Sequence, residues 1–403
     1  MTEAAASGRL SVWCGWVLAA LLTLTPVAAW LGPLAFAPLV AIAGLLTLPA
    51  ASVRDPERPA AIALIVLVAW AVGSSIWSPY AARSFLTSSA VKLPAEGLLY
   101  WSVVSAARTA SPGSRAGALQ IFAWGMAGLG VVLLIEGATG AGIYRAMRQG
   151  FGAPIRPDLG VKNVAQGLFV LTLLAPSAMV AAFRAGRAVW LAPPVVAGLV
   201  VPSLVFGYDA PLIALVLSLA AGLAVYRLPK VAPRALAASA ALFFLGAPAI
   251  VWAVRMLGWY EPLEARVPLS WAERMGYWRH AAGWIEDHTL RGWGLEASRM
   301  FAPGIQLHPH DSALQIWLEL GLIGATAAAV FWVAVLSSTG RKRADLAAAA
   351  TAATAVVYLT FGAFSFGVWQ EWWLGLGALA AAACVAVQRQ PARGTSTVAA
   401  ISE

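Results

Sequence analysis

Residues 307 to 336 read Leu-His-Pro-His-Asp-Ser-Ala-Leu-Gln-Ile-Trp-Leu-Glu-Leu-Gly-Leu-Ile-Gly-Ala-Thr-Ala-Ala-Ala-Val-Phe-Trp-Val-Ala-Val-Leu. From Ser312 onward the only charged side chain is Glu319. An apolar run of about 20 residues is what a helix needs to cross the hydrocarbon of a bilayer. The stretch therefore predicts a membrane span with a polar entry, where His308 and His310 stand two residues apart. All four histidines of the chain, His280, His288, His308 and His310, fall in one window that ends at this entry.

The same pattern recurs along the 403 residues, 60% of which are hydrophobic and only 11% charged, too apolar a balance for a soluble globule. The fold class expected is all-α, a polytopic integral membrane protein with about twelve transmembrane helices. They are placed near 12–31, 33–51, 60–77, 84–106, 117–136, 161–183, 189–206, 210–226, 235–254, 312–336, 344–366 and 371–387. Arg9 before the first run and Val27-Ala28-Ala29 after it faintly resemble a secretory signal, but the run is read as an uncleaved first span. Cys14 and Cys384 lie inside spans near opposite ends of the chain, so no disulfide framework or cysteine metal site is implied.

The net charge of +9 would suggest nucleic acid in a soluble domain. Here it is accounted for by Arg and Lys in the connections on one side, from Arg54 and Arg58 through Arg108, Arg115, Arg184 and Arg187 to Arg341, Lys342 and Arg343. Such connections stay cytoplasmic, which places both termini inside. The bilayer, not nucleic acid, is the expected partner. The whole chain, 1–403, reads as one transmembrane domain with a polar, disordered cytoplasmic tail over 388–403.

On the opposite, periplasmic side two connections are long, 137–160 and 255–311. They carry arginines against the positive-inside bias: Arg145, Arg148 and Arg156 in the first, and six including Arg274 in the second. Arginines outside suit anionic partners, although Glu261, Glu264, Glu273, Glu286, Asp287 and Glu296 also balance those of the second loop. Within that loop Trp271, Met275, Trp278, Ala282 and Ile285 recur at helical spacing and predict an amphipathic helix lying on the membrane surface. Arg274 would sit at its edge, where a guanidinium can fork onto phosphate oxygens. Arg291-Gly292-Trp293-Gly294 reads as a turn.

At the entry, Ser312 followed by Gln315 is a capping-box pattern that starts the span at about Ser312. A histidine just before a helix N-terminus tends to stay neutral and able to accept a proton, and free N–H groups there favour an anion. A base beside a phosphate cradle suits transfer from a phosphate-activated donor to a hydroxyl. Zinc chelation by His308 and His310 with Asp311, His280 or His288 is an alternative, as are histidines bonded only locally. Deeper in the membrane, Glu319 and the i, i+4 pair Lys92 and Glu96 carry charge that needs a partner or a function. Gly321 and Gly324 read as close helix packing.

His308-Pro-His310-Asp311, then Leu314-Gln315, Glu319, Gly321 and Gly324, resemble the signature of the O-antigen ligase and O-antigen polymerase superfamily. Its usual form is His-x-His-Asn, then Leu-x-x-Leu-x-Glu-x-Gly-x-x-Gly. Arg274-x-x-x-Trp278 and Gly292-Trp293-Gly294 resemble the stretch these proteins carry upstream, and Trp77-Ser78-Pro79 and Asn163-Val164-Ala165 resemble weaker motifs. Asp311 replaces the usual Asn, and Tyr208-Asp209-Ala210 stands where many members have an arginine.

The resemblance implies a metal-independent, inverting glycosyltransferase of the bacterial inner membrane. Its donor would be a glycan on undecaprenyl diphosphate, and its acceptor the lipid A core for a ligase or another lipid-linked glycan for a polymerase. Carried across, His310 is the base, Arg274 a diphosphate clamp and Glu319 a residue ordering the site. His308, Arg145, Arg156 and Lys92 are candidates for substrate binding; neither cofactor nor metal is expected. One dominant outer loop favours the ligase over a polymerase for O-antigen or exopolysaccharide. A secondary transporter of a sugar or lipid is the reading from another class, but its polar groups would gather at mid-membrane.

Overall fold

The computed structural model describes residues 3–390, with side chains from Gly8 onward; the tail beyond residue 390 lies outside the described residues. No strand occurs among them. The helices are α1 (Glu3–Leu31), α2 (Phe36–Leu46), α3 (Arg58–Ser74), α4 (Ser89–Thr109), α5 (Pro112–Thr139), α6 (Gly142–Gly150), α7 (Pro157–Arg184), α8 (Ala188–Phe206), α9 (Asp209–Arg227), α10 (Ala232–Met256), α11 (Tyr260–Glu264), α12 (Leu269–Asp287), α13 (Ser312–Ser337), α14 (Leu346–Phe364) and α15 (Glu371–Gln388).

Ten of these, α1, α3, α5, α7 to α10 and α13 to α15, are long and apolar enough to cross a membrane among the described residues. The protein is a polytopic membrane protein. Length and composition qualify ten helices where about twelve spans were expected, and two runs account for the difference. The run at 33–51 folds as a short helix of 11 residues flanked by 3-10 turns at Pro33 and Pro49. The run at 84–106 becomes α4, whose Lys92, Glu96 and Arg108 lower its hydropathy.

Local chemistry sets the helix ends. Ser111 caps α5 by accepting from Ser114 N at 3.2 Å, and Asp345 caps α14 by accepting from Ala347 N at 2.8 Å. Helix α7 runs through the middle, with Val164, Leu168, Val170, Leu171, Leu174 and Ala178 fully buried against α5, α8 and α14. Around it α1, α2, α4, α5 and α15 share one core, while α13 builds a second with α3, α10 and α12. The connection between α14 and α15 contributes Phe366 to the first core and Trp369 to the second.

The bundle has two chemically different ends. At one, Arg115 donates to Arg389 O at 2.8 Å and Arg184 to Val387 O, so basic side chains close the C-terminus of α15. At the other, Lys92 at the start of α4 meets Glu371 at the start of α15, beside the entry of α13.

Candidate active site at the entry of α13

Helix α13 begins at Ser312, but its cap is Asp311, whose carboxylate accepts from Leu314 N at 2.8 Å. This corrects the Ser312–Gln315 capping box. A carboxylate one residue earlier is an equally good cap, and Gln315 turns inward instead, donating to Glu319 at 3.0 Å and accepting from Val368 N at 2.9 Å. The N–H groups expected to cradle a phosphate are thus already met by a side chain. Burial pushes the Asp311 carboxyl up to about 7, against the hydrogen bonds from Leu314 and Ala313.

Nine residues in, the span breaks. Gly321 has φ 62° and ψ −160°, and a side chain there would run into the carbonyl of Leu290. A backbone break inside a membrane helix must have its polar groups satisfied by protein. The loop after α12 and helix α3 do this: from the loop Trp293 N donates to Leu318 O at 2.9 Å and Gly294 N to Glu319 O at 2.7 Å, and from α3 Trp70 Nε1 donates to Leu320 O at 2.9 Å. In return Leu322 N donates to Thr289 O at 2.8 Å. The Gly292-Trp293-Gly294 turn is therefore docked in the break, and Gly321, expected only to ease packing, makes room for it. Trp77 and Ser78 grip the same loop, donating to Gly292 O at 3.3 Å and Leu295 O at 2.7 Å.

Glu319 lies just above the break, 0% exposed, and accepts four hydrogen bonds. Ser298 Oγ (2.7 Å) and Gln315 Nε2 (3.0 Å) reach one oxygen; Glu296 N (2.7 Å) and Trp369 Nε1 (2.6 Å) reach the other. A buried carboxylate so surrounded ties together α13, the turn at 296–298 and the α14–α15 connection.

His310 sits at the top with a left-handed backbone, φ 57°. Its Nδ1 is 2.8 Å from Ser365 O. A carbonyl only accepts, so Nδ1 carries the proton and the lone pair is on Nε2. The ring stacks on Tyr277 at 6.1 Å and lies 4.2 Å from that of His308. Burial lowers the pKa of His310, the bond to Ser365 opposes this, and Arg274 lowers it further. Burial, His310 and Arg299 together push His308 down to about 3.

Arg274, on α12, is half-buried, donates to Ser270 O at 2.8 Å and lies over Trp271 at 5.5 Å; its Nε has no partner. The apolar face of α12, expected to meet lipid, is instead packed on the protein. Met275, Ala282 and Ile285 are buried, and Trp271 and Trp278 lie against Phe364 at 5.3 and 6.4 Å, because α10, α13 and the end of α14 offer it a dry surface.

Other expected residues fall elsewhere. Arg156 is exposed and bidentate to Asp158 at 3.1 and 2.7 Å; the stem of Arg145 packs beside Gly160. Neither touches His310, Arg274 or Glu319. Lys92 pairs with Glu371 at 2.6 Å rather than with Glu96, whose Oε2 has no partner, because α15 delivers an acid from across the helix interface. Tyr208, in the stretch where the resemblance led to an arginine being expected, lies edge-on to Phe169 at 6.3 Å. The other histidines of the zinc alternative stand on indoles, His280 on Trp284 at 5.7 Å and His288 on Trp293 at 4.1 Å. No group of three or more His, Cys, Asp or Glu fit to hold a metal occurs among the described residues. Two surface hollows of about 430 and 650 Å³ are lined by α1 and α5 and include none of the site residues. Sequence reading missed Ser365, Trp369 and Gln370; the only signal was the aromatic Phe364-Ser-Phe-Gly-Val-Trp-Gln370 run between two spans.

Residues 204–329, which hold Arg274, both histidines of the entry and Glu319, match the family model described as O-antigen ligase. Over this segment the chain is similar to the O-antigen ligase-like superfamily. Similar proteins bear the name polysaccharide ligase. One from Rickettsia conorii is 29% identical over 122 residues, 27% of this chain and 30% of that protein. One from Rickettsia prowazekii is 27% identical over 119 residues, 26% and 29% of the two chains. One from Rickettsia bellii is 39% identical over 70 residues, 17% of each. The chain thus aligns with less than a third of the length of the curated relatives it matches.

Proposed function

We propose that the chain is a glycosyltransferase that moves a glycan from a lipid diphosphate to an acceptor hydroxyl at the histidine end of the bundle. The observation that carries this reading is the fixed tautomer of His310. With Nδ1–H on Ser365 O, Nε2 is left as an acceptor, beside a half-buried guanidinium, within the segment that matches the family. In the transfer step Nε2 takes the proton of the acceptor hydroxyl while the oxygen attacks the anomeric carbon. The bond from that carbon to the diphosphate oxygen breaks, and the leaving diphosphate gains negative charge. Arg274, a half-buried guanidinium beside His310, is the cation that meets this charge. Single displacement inverts the anomeric centre, and His310, not a metal ion, removes the proton. Glu319 touches no reacting atom; it holds the three segments that carry the site.

The family resemblance supplies the finer identity: undecaprenyl diphosphate as donor carrier, the lipid A core as acceptor, and the periplasmic face of the inner membrane as the place, with both termini cytoplasmic. The name borne by the relatives favours a ligase over a polymerase. Deleting the gene in its host and comparing surface glycans with carrier-linked ones is the test. The ligase reading expects long polymer stranded on the carrier. Single repeats alone would make the protein a polymerase, and unchanged glycans would overturn both.

A further inference from the structure

Left-handed backbone at a residue with a side chain is strained and persists only where its surroundings impose it. His310 is one of three such residues other than glycine among the described residues. Two bonds hold it: its ring Nδ1–H on Ser365 O, and its backbone N–H, which donates to Nδ1 of His308 at 3.2 Å. His308 is 5% exposed. Since its Nδ1 accepts, its own proton is on Nε2. The amide nitrogen of Gln370 is placed 3.3 Å from that nitrogen; two N–H groups cannot pair, so the amide is read turned over, its otherwise unpartnered oxygen accepting from Nε2–H. Gln370 is the residue before α15, and the next residue, Glu371, pairs with Lys92 and fixes the start of α15 to α4.

We propose that His308 is a positioning residue, a strut that imposes the backbone geometry of His310, with Gln370 as its anchor and the Lys92–Glu371 pair holding that anchor in place. The base role of His310 rests on the transfer reading above; the strut itself does not. It works only with a neutral imidazole, because a protonated Nδ1 would face the N–H of His310 donor to donor. The groups facing His308 are His310, Gln370 and Arg299; those facing His310 are Arg274, Glu273 and Tyr277. Of these, His310 and Arg299 disfavour a charge on His308. Lys92, a candidate for substrate binding from sequence, is in this arrangement a framework residue.

The test uses the full chain, labelled with ¹⁵N-histidine, in lipid nanodiscs. Ring nitrogens are assigned with His280→Gln, His288→Gln and His310→Gln. His308 is expected as the Nε2–H tautomer, uncharged down to about pH 5, and Gln370→Glu should raise its titration by about one pH unit or more. An Nδ1–H tautomer, a charged ring at neutral pH, or an unmoved titration in Gln370→Glu overturns the strut. In glycan transfer, His308→Asn, whose amide oxygen can still accept from His310 N–H, should keep the rate within about tenfold. His308→Leu should lower kcat about 100-fold with KM little changed. Equal losses in the two variants, or a loss confined to KM, would put His308 on the substrate and overturn the proposal. A wild-type chain that transfers nothing defeats the functional reading, and the tautomer then still decides the strut.

Discussion

A histidine whose Nδ1–H is committed to a carbonyl can act only through Nε2, so His310→Ala should abolish transfer while leaving the protein folded, as judged by its yield in detergent. Arg274→Ala should lower the rate by about 100-fold, the scale of one lost charge-stabilising donor. The pH dependence has a definite sign. The base is active when unprotonated, and His310 titrates below the usual 6.5, so the acid limb of the rate lies at lower pH than a free imidazole would give. A limb at or above 6.5 in a pH profile of kcat/KM would contradict this. A carboxylate at position 311 pointing at the neighbouring His310 would raise that pKa. The Asp311 carboxylate is turned to the helix N-terminus instead. Asp311→Asn should therefore change stability little, whereas Asp311→Ala should cost about 1 kcal/mol, measured by thermal unfolding in detergent.

At the scale of elements, the break in α13 and the loop docked in it are the feature that places Glu319. Gly321→Ala would put a side chain on a left-handed backbone and into Leu290, and Gly292→Ala would meet the backbone of Glu319. Each should cost on the order of 3 kcal/mol, while Gly113→Ala, in α5 with nothing within 4 Å of the new atom, should be neutral; melting temperatures of the three variants check this. Glu319→Gln keeps the shape but turns a donor toward two of the four donors it now satisfies, at a cost of about 2 kcal/mol. Sequence period and hydropathy showed where α13 begins and that its histidines precede it. They did not show the break, because Gly321 in an apolar helix reads the same whether it eases packing or admits another chain segment. Nor did they show Trp369 and Gln370, whose role comes from the return of the chain 50 residues later.

For the molecule as a whole, apolar runs of about 20 residues made the membrane class and most spans legible. The two spans that differ, at 33–51 and 84–106, are those where prolines or charges compete with hydropathy. The long connections are assigned to one side and the basic ones to the other, so cysteines introduced at Arg266 and Arg343 should react with a membrane-impermeant maleimide from opposite faces of the membrane. Cys14 and Cys384 are buried and should leave little background. Labelling of both from the same face would refute the orientation.

The docked loop also bears on how the protein is made. Residues 289–294 leave the ribosome before Leu318–Ile323, yet each supplies the hydrogen-bonding partners of the other. The loop must wait until the broken span has entered, and the span cannot settle in lipid until the loop has come back to it. Insertion of α13 and assembly of the site are therefore a single step of biogenesis.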